Sequence, residues 1–158
     1  MNNNDFVEMT RRLYEYAMGI DSRDFKLLRS VFSEDIVMDF EDYNGMPKAK
    51  LKADEWVESC KPLFLGLDST QHIMTNPIVE LEGDDRASCR MQMQATHFFI
   101  DGYQKEFSIG GYYEDELLHN GDQWSISAVT LKIFWRRGVQ DIMAAATKKG
   151  QSILESNN

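Results

Sequence analysis

Residues 14–40, YEYAMGIDSRDFKLLRSVFSEDIVMDF, decide how this chain is read. They hold the end of an amphipathic helix, a break at Asp21-Ser22, a second short helix and an opening strand. Upstream of the break, Phe6, Met9, Leu13, Tyr16, Ala17 and Ile20 form one stripe at helical spacing, while Glu8, Arg11, Arg12 and Glu15 lie away from it. Asn4 or Asp5 is placed to cap this helix. Val7 and Met18 fall off the stripe, as a second contact surface would. Asp21 sits at the stripe's edge, so the break sets a carboxylate close to the apolar side. Beyond it Phe25, Leu28, Val31 and Phe32 restart a helical pattern. Ile36, Met38 and Phe40 then alternate with Val37, Asp39 and Glu41, which predicts a strand.

Working outward, Asn44-Gly45 and Pro47 mark a turn or loop. Residues 51–64 predict a third helix presenting Trp56, Val57, Cys60, Leu63 and Phe64, with Pro62 distorting its last turn. The second half is strand-rich. Residues 70–81 are extended, with a bend at Pro77. In residues 87–100 the alternation is clean: Ala87, Cys89, Met91, Met93, Ala95, His97 and Phe99 share one face. Asp101-Gly102 and Asn120-Gly121 make hairpin turns into residues 106–118 and 124–135. A last helix from about residue 139 carries Ile142, Met143 and Ala146, and the tail from Gln151 is expected to fray. Helices first and an antiparallel meander afterwards give an α+β layout, a curved sheet around helices with a conical apolar cavity. One domain is expected over residues 1–158, with its core at about 5–137.

Composition narrows the function. The chain has 158 residues, 42% hydrophobic and 27% charged, as in globular proteins. Its 26 acidic and 17 basic side chains give a net charge of −9, which argues against nucleic acid and against anionic membrane surfaces. No apolar run is long enough to span a bilayer, and the polar start resembles no secretory signal. Two cysteines, Cys60 and Cys89, imply no disulfide framework and fit a reducing cytoplasm.

Asp21, His72 and His97 are the candidate chemistry. Each alone has a bland reading. Asp21 fits as a cap for the second helix, His97 as a satisfied core histidine and His72 as a strand-edge residue. Jointly, a core-facing carboxylate and imidazole must find partners, and pairing with each other is the economical solution. A buried Asp-His arrangement is proton-transfer machinery. The spacing of the three matches no compact metal-ligand motif, so no metal is expected. Cys60 and Cys89 read as packing residues, and His119 as a solvent-exposed turn residue.

The words IDSRDF, VMDF before Tyr43, STQHI, the strand end at His97 and NGDQWSISAVTLKIFW, in this order, cover about residues 10–137. They resemble the nuclear transport factor 2-like superfamily, and within it the SnoaL-like group that includes scytalone dehydratase. The resemblance implies a cone-shaped, mostly antiparallel sheet with N-terminal helices packed inside. It implies a cofactor-independent lyase that removes water from a small hydrophobic hydroxylated carbonyl compound, with Asp21, His72 and His97 as the acid/base set. It also implies pocket walls from Val129, Leu131 and Ile133, joined by Trp56 and Ala95. Two tyrosines that serve the substrate carbonyl correspond here to Ile20 and Phe40. A serine and an asparagine correspond to Gly110 and Tyr112. Tyr16, Tyr43 and Tyr112 are the candidates to replace the lost carbonyl contacts. The superfamily also contains isomerases, non-catalytic binders and accessory subunits, and a homodimer or homotrimer is expected by resemblance.

Overall fold

The computed structural model describes residues 3–156. Helix α1 (Asn3–Asp21) buries Met9, Leu13, Tyr16, Ala17 and Ile20, the stripe expected from its spacing. Asn4 and Asp5 lie inside its first turn rather than ahead of it, and whatever precedes Asn3 is outside the described residues. Arg12 and Glu8 hold the helix to the far end of the sheet, through Trp124 O at 3.0 Å and Trp124 N–H at 3.0 Å. Val7 and Met18 are exposed.

Helix α2 (Phe25–Ser30) doubles back against α1 at Gly19, where a Cβ would stand 2.8 Å from the backbone nitrogen of Leu28. Its cap is Asp24, which accepts Leu27 N–H at 2.9 Å. Asp21 is therefore free of the capping role that the sequence left open to it. Phe32, expected in this helix, instead opens strand β1 (Phe32–Asp39). Phe40 falls just past that strand and precedes a one-turn helix, α3 (Glu41–Asn44), where a turn or loop was expected. A short strand β2 (Ala49–Lys52) follows, and its pairing with β1 takes Leu51 and Lys52 out of helix α4 (Ala53–Gly66). Four consecutive residues are too few for an alternation to be read.

Strands β3 (Ser69–Leu81), β4 (Arg86–Asp101), β5 (Tyr103–His119) and β6 (Trp124–Gly138) form the expected antiparallel meander. The full sheet order is β2-β1-β6-β5-β4-β3, with β1 and β6 parallel and every other pair antiparallel. Its curvature has identifiable causes. In β6 one extra residue stands at Ser127 and another at Phe134, and β3 shifts register at Asn76-Pro77, where Asn76 has φ +55°. Each bulge bends its strand and deepens the local twist. The concave face wraps α1, with α4 over one side of the opening.

Helix α5 (Ile142–Ser156) lies across α4 at a crossing of two glycines. A Cβ on Gly66 would come within 1.7 Å of Ala146 O, and one on Gly150 within 1.8 Å of Pro62 O. This contact keeps the tail helical through Ser156, where fraying was expected from Gln151. No described helix is long and apolar enough to cross a membrane.

Candidate active site

The open end of the cone holds a cavity of about 240 Å³. Asp21, the last residue of α1, does not itself line it but is bonded to the ring of His72, which does. His72 enters from β3 and His97 from β4, on adjacent strands, with His72 facing Ala95 and Thr70 facing His97. The two histidines are thus diagonal neighbours on one face, within reach of each other. Their ring centroids lie 5.7 Å apart with planes at 89°. The structure brings the three sequence-predicted groups together, the two histidines on one cavity wall and Asp21 bonded to His72.

Asp21 is fully engaged. Its Oδ1 accepts from His72 Nδ1 at 2.7 Å and from the Thr70 hydroxyl at 2.8 Å, and its Oδ2 accepts the His72 backbone N–H at 2.6 Å. The His72 side chain is 5% exposed and that of Asp21 20%. Burial pushes the Asp21 carboxyl up, but the His72 side-chain bond, the imidazole's charge and the other donors outweigh it and hold the carboxyl below its ordinary range. An ionised carboxylate only accepts, so His72 Nδ1 carries a hydrogen, and the neutral form of the ring is the tautomer with a bare Nε2.

His97 is set by different means. Its Nδ1 lies 3.1 Å from Phe107 O, which can only accept, so this nitrogen is also the protonated one. Burial and the neighbouring His72 push its pKa down to about 4. His97 is therefore neutral at ordinary pH and offers Nε2 as an acceptor.

The rest of the lining is largely apolar and aromatic. Tyr16, Ile20, Phe40, Tyr43, Trp56 and Leu131, all expected substrate contacts, do line the cavity. Burial raises the Tyr16 and Tyr43 phenols, so both remain hydrogen-bond donors. Four expected contacts are corrected. Ala95 and Val129 face inward but lie in the packed core below the cavity, and Ile133 packs against that core without lining the cavity. Tyr112 stands on the outer face, its ring 5.5 Å from that of Phe134 and beneath Arg90. The odd-numbered residues of β5 turn inward, so Tyr113 occupies the cavity instead. Gly110 faces outward too, and a Cβ on it would stand 2.2 Å from the Trp135 ring.

Other side chains carried no local signal. Arg23 has a left-handed backbone at φ +58° and folds its guanidinium back onto Thr70 Oγ1 at 2.8 Å and Asp21 O at 2.9 Å. Asp115 did carry a signal: in the run Glu114-Asp115-Glu116 alternation must turn one carboxylate inward. Asp115 is 2% exposed, its Oδ1 meets no partner, and burial followed by Glu114 raises it well above the usual range. Cys60 lines the cavity and Cys89 lies in the core; burial pushes both thiols up to about 12, so neither is a thiolate at neutral pH. His119, expected in solvent, is half-buried with its ring 5.2 Å from Trp124. Among the described residues no three His, Cys, Asp or Glu side chains are grouped to hold a metal ion.

Residues 4–130 match the family model of the SnoaL-like domain. The chain belongs to the SnoaL-like family. It is 27% identical over 112 residues to a dehydratase, GME11372, of Pestalotiopsis microspora, covering 68% of this chain and 70% of that one. The Kfla4162 protein of Kribbella flavida superposes with a TM-score of 0.81 at 23% identity, covering 92% of this chain and 97% of that one. A candidate scytalone dehydratase of Novosphingobium aromaticivorans has a TM-score of 0.74 at 17% identity, covering 85% and 87%. This SnoaL-like chain thus has proteins named as dehydratases among its relatives and structural neighbours.

Proposed function

We propose that this protein is a cofactor-independent lyase of the dehydratase type, acting on a small, uncharged, cyclic hydroxy-carbonyl compound. The observation that carries the reading is the pair of imidazoles, His72 and His97, each anchored through Nδ1 and lining one largely apolar cavity. Among the described residues no Lys or Arg lines that cavity, which disfavours a carboxylated or phosphorylated substrate.

The sequence left open which imidazole is base and which is acid. Geometry favours His72 for both steps. Its Nε2 takes the proton from the carbon next to the carbonyl, and Asp21 stabilises the imidazolium that forms. The phenols of Tyr16, Tyr43 and Tyr113 are the donors available to the enolate oxygen. The imidazolium then returns its proton to the departing hydroxyl as the carbon–oxygen bond breaks and the carbon–carbon double bond forms. Water leaves, and His72 ends neutral, as it began. His97 has no proton to donate at its Nε2, so its role is to accept a hydrogen bond from the substrate hydroxyl and aim it at His72. A hydroxyl satisfies that acceptor and a halide cannot, which favours water as the leaving group.

His72→Ala is expected to lower kcat on a hydroxylated cyclic ketone by about 10²–10⁴, or roughly 3–5 kcal/mol of barrier. Retention of turnover by both His72→Ala and His97→Ala would sink the proposal. The second reading is a non-catalytic binder, favoured by Ile20 and Phe40 standing where the related enzyme has tyrosines. A thermal-shift panel of such ketones separates the two: a binder is stabilised and returns its ligand with the hydroxyl intact.

A further inference from the structure

We propose that Arg23 is a positioning residue of this site: through the Thr70 hydroxyl it fixes Asp21 as an ionised acceptor, and so fixes which nitrogen of His72 is bare. This rests on the reading of His72 as the base. The argument begins with a group that cannot reverse its role. A guanidinium only donates, and it keeps its charge at any accessible pH. Nη1 of Arg23 lies 2.8 Å from Thr70 Oγ1, so that oxygen must accept. The one hydrogen of the hydroxyl is then directed to Asp21 Oδ1, also at 2.8 Å. With the His72 backbone N–H on Oδ2, the carboxylate is surrounded by donors and must accept from the ring as well. The hydrogens of the hydroxyl, the backbone and the ring thus all converge on Asp21, the ring's being on Nδ1, and Nε2 is the nitrogen that the neutral ring leaves bare.

The guanidinium is itself immobilised. Nε donates to Phe64 O at 2.9 Å, Nη1 to Asp21 O at 2.9 Å and Nη2 to Leu67 O at 3.3 Å. It thus ties the end of α1 to the end of α4 and the start of β3. The backbone at φ +58° costs strain that a glycine or asparagine would escape. An arginine persists there because of what its side chain holds. The charged and titratable groups that face Asp21 are Arg23 behind it, His72 from β3 and, beyond that ring, His97 from β4.

The test needs no substrate. The Asp21 carboxyl is followed by ¹³C NMR against pH in the wild type, Thr70→Val, Thr70→Ser and Arg23→Lys. Valine keeps the shape of threonine and removes the relay; lysine keeps the charge and loses the fork. Thr70→Val and Arg23→Lys are expected to raise the titration midpoint of Asp21 by about one pH unit, with Thr70→Ser staying within a few tenths of wild type. With an identified substrate, kcat falls in Thr70→Val and Arg23→Lys while KM holds. A wild-type midpoint in Thr70→Val, or in Arg23→Lys if the valine variant does not fold, overturns the proposal. So does a serine variant that fails to restore the midpoint. Turnover surviving in His72→Ala would instead remove the catalytic reading and leave the titration result standing.

Discussion

Asp21 and Asp115 both face the concave side of this molecule, and they end in opposite states. Asp21 is bonded to His72 on the cavity wall, and three donors with an arginine behind them keep it ionised. Asp115 lies in the middle of β5, packed by Cys89 and Val129 on the neighbouring strands, with an oxygen that meets no partner. Burial acts on both in the same direction, against the charge. The difference is donors. A carboxylate is kept working inside a protein by the groups aimed at it, and without them the same side chain becomes a neutral acid that costs stability.

The largest test of that contrast is on activity. Asp21→Asn keeps the shape but removes the charge that stabilises the His72 imidazolium, and kcat is expected to fall by roughly 10²–10³. Asp115→Asn should leave kcat within about threefold, because Asp115 does not line the cavity. Steady-state kinetics on the same ketone decides, and a large loss in the Asp115 variant would break the comparison.

Next in size is the pH dependence of stability. His97 has a folded pKa near 4, below the ordinary 6.5 of the unfolded chain. Its contribution is whole above the unfolded value and is lost as pH falls from there towards 4. The shift is worth about 3 kcal/mol at most, since each pKa unit is about 1.4 kcal/mol. Asp21, with its lowered carboxyl, adds to the loss at still lower pH. Urea titrations from pH 4 to 7 should show this slope, and His97→Gln should flatten it.

Asp115 has the reverse sign. Its folded carboxyl titrates above the unfolded one, so its contribution is present in acid and is lost as pH rises. Asp115→Leu removes both that slope and the unpartnered oxygen, and is expected to stabilise the protein by about 1–3 kcal/mol at pH 8. The gain should shrink as the pH approaches 4. A gain that is equal at both pH values would mean that Asp115 is ionised after all.

How far these sites were legible depended on whether one element decides a residue's direction. The helix stripe up to Ile20 and the clean alternation through His97 placed Asp21 and His97 on the inner side, because both periodicities are local. The same rule applied to β5 would have turned Tyr113 and Asp115 inward and Tyr112 outward. The family correspondence drew attention to the wrong residue of that pair. Arg23 was beyond reach: its role depends on a left-handed backbone and on carbonyls of Phe64 and Leu67, some forty residues away. Strand β2 was missed for a related reason, since its edge position leaves Ala49, Lys50 and Lys52 exposed and no alternation to read.

The smallest effect separates Tyr113 from Tyr112. Tyr113 is two residues from Asp115 on the same face, yet its ring reaches the cavity and packs edge-on against Tyr16, with centroids 5.7 Å apart. Burial raises its phenol, so at neutral pH it is a donor and never an anion. Loss of one neutral hydrogen bond to a developing enolate is worth about 1–1.5 kcal/mol, so Tyr113→Phe should lower kcat/KM by roughly five- to tenfold. Tyr112→Phe, on the opposite face against Phe134, should change it by less than about twofold. Because phenylalanine keeps the ring in both variants, packing is nearly matched and the hydroxyl alone is tested. Equal kinetics in the two would place the enolate donor with Tyr16 or Tyr43, and would make the floor above Asp115 a packing surface with no part in the chemistry.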